Sequence, residues 1–354
     1  MTDAATLGVG FLGGGPVTQA IHLPALARLT DLFTVRTVMD VSEDTARAVA
    51  ARVGARGTTS VDDLLADDAV DVIAVCSPHQ FHADQVIAAC RAGKRAVLCE
   101  KPFAVSASEA SRIAEVAAET GVPILVGAMH AYDPGWLAFA EAWGPTRGSA
   151  NHIRSSVVLP PNPRFEDFAT EVSNRVSPGA PAARASSDAR AEQLRAGIIG
   201  LAIHDLPLVR AFLTTTDDLV VHAARTLTPF GYLVVFSSGD QVVELHAHMS
   251  ANWNPNWALQ VYAPDRVGAV EFTPSYVQAG SAVASISTPG QLVQLGPWTT
   301  NGYIGEWQHL HEVAHGRTPR YGPDELIADL TFALDLADVA GAALARTPEP
   351  AGAR

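Results

Sequence analysis

From residue 6 to about 127, short runs rich in β-branched residues alternate with alanine-rich helical stretches, the pattern of a parallel sheet joined by crossover helices. Strands are expected at 7–12, 34–39, 70–76, 96–99 and 123–126, and helices near 16–29, 42–53, 82–92 and 107–119. Gly93 and Gly121 stand where helix ends favour a left-handed residue. After about residue 150 the texture changes to strands with little helix between them, at 152–159, 219–227, 233–237, 242–249, 257–262 and 269–273. Such a run predicts a largely antiparallel sheet. Residues 160–196, rich in Pro, Ser, Ala and Arg without a clear period, read as a long surface loop or flap. Residues 324–345 are helical again.

The expected fold class is therefore α/β: a Rossmann-like doubly wound parallel sheet plus a second region with an open, mainly antiparallel sheet. At 354 residues the chain is longer than one core usually supports, which predicts two domains. Twenty-four Lys+Arg against 37 Asp+Glu give a net charge of −13, a surface that repels polyanions, so neither nucleic acid nor an anionic membrane is an expected partner. No apolar run reaches the ~18 residues of a membrane span, and the N-terminus lacks the basic and apolar segments of a signal peptide. Cys76, Cys90 and Cys99 have no metal-like spacing and read as small core hydrophobes. These features predict a cytoplasmic protein.

A literal Gly-x-Gly-x-x-Gly occurs at Gly8, Gly10 and Gly13. That phase would make a buried strand of 1–7, with Thr2, Asp3 and Thr6, and would start a helix among three glycines, which are poor helix residues. In the next phase 7–12 is the strand, Gly13 and Gly15 form the tight turn, and Pro16-Val17-Thr18 open the helix. Pro16 then sits where its missing N–H costs nothing. Thr18 replaces the third glycine, so the helix is expected to stand slightly further from the sheet. Phosphate binding needs only the first two glycines and the helix N-terminus, whose free N–H groups and dipole favour an anion. Asp40 follows the second strand about 25 residues after Gly15, near the spacing of the carboxylate that binds an adenosine ribose. A carboxylate there repels a 2′-phosphate, which favours NAD over NADP. Read alone, Asp40 is equally a helix cap or a solvated turn residue.

Two further strands end in Cys76-Ser77-Pro78-His79-Gln80-Phe81-His82 and Cys99-Glu100-Lys101-Pro102, at the rim where doubly wound sheets place ligands. A Glu-Lys pair is commonly surface charge. A lysine directed into a cleft, however, can hold a substrate oxygen as its alkoxide while hydride leaves. With these stretches the chain resembles the Gfo/Idh/MocA family of sugar and cyclitol oxidoreductases. The matching residues are 13–26 with His22, 77–82, Ala92-Gly93-Lys94 leading to Glu100-Lys101-Pro102, Tyr132-Asp133-Pro134 and Ile203-His204-Asp205-Leu206.

The resemblance implies a dinucleotide-binding domain at 1–127 and a substrate-binding and oligomerisation domain at 128–354, with a dimer or tetramer formed through its open sheet. It implies that Lys101 is the catalytic lysine and His204 the acid/base, with NAD held by Gly13, Gly14, Gly15, Pro16, Val17, Asp40, Ser77, Pro78, His79, His82, Glu100 and Lys101. Glu100 would contact the nicotinamide ribose. Substrate contacts would come from Lys101, His130, Tyr132, His204 and Asp205. His204 is otherwise readable as a core histidine beside an apolar helix.

The departures from the family pattern are specific. An aspartate often lies four residues before the catalytic histidine, sharing its helix face; here that position is Gly200. Asp205 points about 100° away on a helix and does not replace it; with Pro207 two residues on, it reads equally as an N-cap. An Arg pair before Tyr-Asp-Pro is replaced by His130-Ala131, and an Asn after Pro78 by His79. His246 and His248 share one face of a strand, a spacing open to a metal, but with no third ligand they read as lining a cleft or a subunit interface. Trp253, Trp257 and Trp298 read as packing rather than sugar-stacking groups. Three functions remain: an NAD-dependent dehydrogenase or ketoreductase acting on a sugar, glycoside or cyclitol hydroxyl; cleavage of a glycoside through transient oxidation by a recycled NAD; and a catalytically silent ligand sensor of the same fold.

Overall fold

The computed structural model describes residues 6–175, 187–249 and 254–346. The first sheet is built from β1 (Leu7–Leu12), β2 (Phe33–Met39), β3 (Arg56–Thr58), β4 (Val72–Val75), β5 (Ala96–Glu100) and β6 (Ile124–Gly127). Its spatial order, β3-β2-β1-β4-β5-β6, is parallel throughout and reverses direction between β1 and β4. That reversal leaves a crevice at the carboxyl ends of the two strands, the place where such sheets bind ligands. The connecting helices are α1 (Leu23–Leu26), which continues a π-helical turn at Thr18–His22, then α2 (Glu43–Arg52), α3 (Val61–Leu65), α4 (His82–Arg91) and α5 (Ala107–Thr120). Ser42, Ser60 and Ser106 cap α2, α3 and α5 by accepting from the backbone N–H three residues on. Both β3 and α3 escaped the hydrophobic pattern because each is a short, largely exposed piece.

The second sheet contains β7 (His152–Leu159), β8 (Leu219–Thr226), β9 (Phe230–Ser238), β10 (Gln241–Met249), β11 (Asn256–Tyr262), β12 (Val267–Phe272), β13 (Val283–Thr288) and β14 (Gln291–Leu295). Its order is β14-β13-β12-β11-β7-β10-β9-β8, and every pair is antiparallel except β7 with β10. Helices are more numerous here than the pattern predicts. They are α6 (Pro134–Trp143), α7 (Pro163–Ala169), α8 (Ser187–Gly200), α9 (Leu206–Phe212), α10 (Gly302–Ala314) and α11 (Pro323–Arg346). The stretch expected as an irregular loop at 160–196 thus holds α7, opened by Pro163 and burying Phe165, and the first turns of α8. Residues 176–186 of it lie outside the described residues.

One helix crosses back. Although α10 follows the second sheet in sequence, it packs on β5 and β6 of the first, and its fully buried Trp307 meets Phe11, Phe33 and His22 with ring centroids 5.2 to 6.0 Å away. The helix can lie this close because its first residue is Gly302: a Cβ there would stand 2.0 Å from the Met129 carbonyl oxygen. Gly302→Ala is expected to force the helix outward and cost roughly 1–3 kcal/mol, read as a lower urea midpoint at unchanged slope.

Candidate active site

The second glycine phase is the one the chain adopts. At Gly13 the backbone takes a φ of 106°, and a Cβ would lie 2.6 Å from the Cys76 carbonyl oxygen, so only glycine fits. Gly14 N donates to Asp40 Oδ2 at 2.9 Å. Gly15 faces open space where a Cβ would stand, room for a phosphate to approach the backbone before the helix opens at Pro16 and Val17. Thr18, in place of a third glycine, is buried and returns its hydroxyl to the Gly13 carbonyl at 2.6 Å. Gly8 and Gly10 lie inside β1, where a Cβ would meet Ala69 O at 1.8 Å and Leu64 at 2.8 Å. Asp40 ties two turns together, since its Oδ1 also accepts from Ser42 N at 2.9 Å in the turn between β2 and α2. A rigid glycine turn, an open approach at Gly15 and a carboxylate beside it fit a dinucleotide.

A latch not foreseen from the sequence borders this turn. Gln19 is buried, and its side-chain amide donates to Gly14 O at 2.7 Å and Ser173 O at 3.1 Å while accepting from Ser173 N at 2.8 Å. Arg52 adds bonds to Gln19 Oε1, Ser173 Oγ and Glu171 O, and Asn174 Nδ2 donates to Thr45 Oγ1 at 3.0 Å. Residues 171–174, which follow α7, are thereby fastened to the helical turn that follows the glycines and to both ends of α2. Only the pairing of Gln19 with a segment 154 residues away reveals this.

At the rim, Ser77 donates to Gln85 Oε1 at 2.7 Å, and Pro78 and His79 are exposed. His82 differs from its expected role. It is fully buried with both ring nitrogens 2.8 Å from carbonyl oxygens, of Pro102 and Ser77, so it staples the ends of β4 and β5 rather than presenting a nitrogen to a cofactor. Glu100 also turns inward. Its Oε1 accepts from His22 Nε2 at 3.0 Å, and the other His22 nitrogen accepts from Trp307 Nε1–H at 3.1 Å. An indole N–H only donates, so the His22 proton sits on Nε2 and points at Glu100. Burial opposes the charge on Glu100, but the His22 bond and the neighbouring Lys101 outweigh it and hold the carboxyl below its ordinary range. Glu306, fully buried beside this pair with neither carboxyl oxygen partnered among the described residues, is pushed the opposite way by burial and by Glu100.

Lys101 Nζ donates to Gly200 O at 2.9 Å, four residues ahead of His204, so the two expected catalytic side chains share one corner. Burial lowers the lysine pKa against the pull of Glu100. His204 is 8% exposed and its Nδ1 has no hydrogen-bond partner among the described residues. Burial first, then the like charges of Lys101 and His130, hold it neutral, well below the ordinary imidazole range. Asp205 precedes α9, and Pro207 does open that helix, but the Asp205 side chain makes no capping bond. It is 1% exposed and accepts from His130 Nδ1, Ser155 Oγ and Trp257 Nε1, each at 2.7 Å. His130 lies stacked on Phe272 at 3.8 Å with the edge of Trp257 4.6 Å away, and its ring centroid is 6.1 Å from that of His204. Tyr132 is buried against His309 and Tyr321 and lines, with Lys101, an apolar cavity that does not include His204.

The remaining candidates stay apart. His246 and His248 bond Ser156 Oγ and Thr228 O, and no group of three metal-ligating side chains occurs among the described residues. Trp257 is a core residue, Trp298 is partly exposed, and Trp253 lies outside the described residues. No helix among the described residues is long and apolar enough to cross a membrane.

The fold and this rim fit a nicotinamide dinucleotide at the crevice between β1 and β4. Residues 7–128 match the family described as an oxidoreductase family with an NAD-binding Rossmann fold, GFO_IDH_MocA. Inositol 2-dehydrogenase 3 of Saccharopolyspora erythraea is 37% identical over 137 residues, 38% of this chain and 40% of the relative. An inositol 2-dehydrogenase of Leifsonia xyli subsp. xyli is 33% identical over 142 residues, 40% of this chain and 41% of the relative. The aligned stretch thus spans about two fifths of these relatives' length. Over nearly the whole chain the fold is that of the UDP-N-acetylglucosamine 3-dehydrogenase GnnA from Acidithiobacillus ferrooxidans, with TM-score 0.73, 19% identity, and 96% and 99% of the two chains covered. KijD10, a 3-ketoreductase from Actinomadura kijaniata solved with TDP-benzene and NADP, has TM-score 0.69, 20% identity, and 94% and 96% coverage.

Removing the latch has a direct readout. Gln19→Ala is expected to speed hydrogen exchange at the Ser173 amide about tenfold, the equivalent of about 1.4 kcal/mol for the lost bond. Exchange at the wild-type rate would show that the segment is held by other contacts.

Proposed function

We propose that this protein is an NAD-dependent oxidoreductase that moves hydride between the nicotinamide and a carbinol or keto carbon of a sugar, glycoside or cyclitol. The observation that carries this reading is the convergence of Lys101 and His204 at the carboxyl end of β5, next to the glycine turn's crevice. NAD supplies the hydride acceptor when bound, held by the turn at Gly13–Gly15 and by Asp40. We assign this binding to residues 1–127 and the substrate's remaining contacts to residues 128–354. Asp40, already facing Gly14, disfavours a 2′-phosphate, and so supports NAD over NADP. Lys101 donates to the substrate oxygen and stabilises the alkoxide character that develops as hydride leaves. A neutral imidazole at the same corner takes the hydroxyl proton, a role the family pattern gives to His204.

The inositol dehydrogenases and the sugar 3-dehydrogenase and 3-ketoreductase it resembles support a polyol or sugar substrate. The free state of all three cysteines supports a reducing, cytoplasmic setting. The face of the second sheet carrying the part-exposed Val220 and Val242 is our candidate for contact between copies of the chain. One observation favours a second reading, glycoside cleavage with a recycled cofactor: the latch at 171–174 borders the cofactor turn and would retard exchange of a bound dinucleotide. Release of aglycone without net NADH is its signature.

Lys101→Ala is expected to lower kcat/KM by about 10²–10⁴-fold, while NADH binding, followed by nicotinamide fluorescence, changes little. Full turnover in that variant would overturn the reading. Because burial lowers the Lys101 pKa from 10.5, the protonated lysine is lost as pH rises through a value below 10.5. Ketone reduction should therefore decline on the alkaline side before the ordinary lysine range, a limb read from kcat/KM against pH and absent in Lys101→Arg. Asp40→Ser is expected to narrow the preference for NAD over NADP, measured as the ratio of the two dissociation constants.

A further inference from the structure

The residue that accepts the proton must carry a positive charge for the lifetime of the transition state, and the two histidines at the corner are unequally prepared for it. His204 has no carboxylate on its ring: Nδ1 is unpartnered, Lys101 is its cationic neighbour, and the position that could have supplied an aspartate is Gly200. Nothing lies within 4 Å of where a Cβ at 200 would stand, so no other side chain has moved in to take that place. The carboxylate is instead one residue beyond His204, at Asp205, and it is bonded to a different histidine.

Asp205 Oδ1 accepts from His130 Nδ1 at 2.7 Å, while its Oδ2 is filled by the Ser155 hydroxyl and the Trp257 indole, both at 2.7 Å. A buried carboxylate with three donors is an acceptor only, so the His130 proton resides on Nδ1 and Nε2 is the basic atom. The ring cannot rotate to exchange these roles, because Phe272 stacks on its face and Trp257 abuts it. This is the arrangement by which a carboxylate fixes an imidazole's tautomer and stabilises the imidazolium that forms on the far nitrogen. The charged or titratable groups facing His130 are Asp205, which it bonds; His204, 6.1 Å away by ring centroid; and Asp133, three residues on, whose Oδ1 is occupied by the Gly135 and Ala282 amides.

We infer that the proton acceptor of this enzyme is His130, positioned by Asp205, and that His204 is a neutral hydrogen-bonding residue at the same substrate oxygen. The inference rests on the oxidoreductase reading above. In the oxidation direction the carbinol carbon gives its hydride to the nicotinamide, which is reduced. The hydroxyl O–H breaks, its proton passes to His130 Nε2, and the C–O bond becomes a carbonyl. The new imidazolium is paired with Asp205, and reduction runs the same transfers backwards.

The test compares three variants and one spectrum. His130→Gln keeps a donor for Asp205 and is expected to lower kcat by about 10²–10⁴-fold, to leave NADH affinity within about threefold, and to lose the acidic limb of kcat/KM against pH. Asp205→Asn, a change at a positioning residue, should shift that limb, while His204→Gln should retain it with about a tenfold loss or less. A His130→Gln enzyme that keeps the wild-type limb, or a His204→Gln enzyme that lacks it, overturns the assignment. Should Asp205→Asn fail to fold, nitrogen-15 NMR of the wild-type imidazoles decides: a deshielded proton on His130 Nδ1 with an unprotonated Nε2 supports the dyad, and the opposite tautomer overturns it. The spectrum requires no turnover. A protein that transfers hydride to no sugar, glycoside or inositol would fail the oxidoreductase reading, whereas the wrong tautomer fails only the dyad.

Discussion

The buried line Trp307–His22–Glu100 holds the parts of this protein in register. It joins a helix that arrives after the second sheet, the helical turn that follows the glycines, and the end of the strand that carries Lys101. Each bond in it is directional, and the indole donor dictates the imidazole tautomer, so the three elements have one compatible arrangement. Removing one partner would strand a buried carboxylate or imidazole, which costs far more than the bond itself contributes. Glu306 beside the line answers the same constraint differently. With Glu100 ionised by His22, a second carboxyl in that dry space is driven toward its neutral form.

The same logic orders the candidate catalytic corner. Two imidazoles, one lysine and one carboxylate share a desolvated space, and the carboxylate can neutralise only one neighbour. Burial is the main reason His204 is held neutral, and bonding Asp205 to His130 adds to it by leaving His204 beside Lys101 and His130 with no counter-charge. Gly200 contributes through its backbone: its carbonyl receives the Lys101 ammonium, which orients the lysine without adding a negative charge.

Much of the first sheet was legible because period and punctuation agreed: β-branched strands and left-handed Gly93 and Gly121 occur where the pattern placed them. The phase of the glycine turn could be chosen from the polar residues ahead of Leu7, the poor fit of three glycines to a helix start, and Pro16, since proline suits the first helical position. Elements were missed where local signal is weak, as in β3 with three residues, or where helices alternate with strands without a clear period, as in α7 and α8. His82 was legible as a rim residue but not as a staple, because two carbonyl oxygens 20 and 5 residues away decide what its nitrogens do.

By itself, then, the sequence determined a doubly wound sheet with a glycine turn and an acidic residue at the end of the second strand, and it singled out a lysine and a histidine as candidates for alcohol chemistry. These follow from spacing within a few residues, where chain geometry is stiff. Only the tertiary structure decided which carboxylate serves which imidazole, because Ser155, Trp257 and His130 each lie 50 or more residues from Asp205 in sequence and meet it through packing of the second sheet. It likewise decided that residues 171–174 fasten onto Gln19, a contact across 154 residues. Hydrogen bonds between distant side chains leave no period in a sequence, and at this corner they determine which group is free to take a proton.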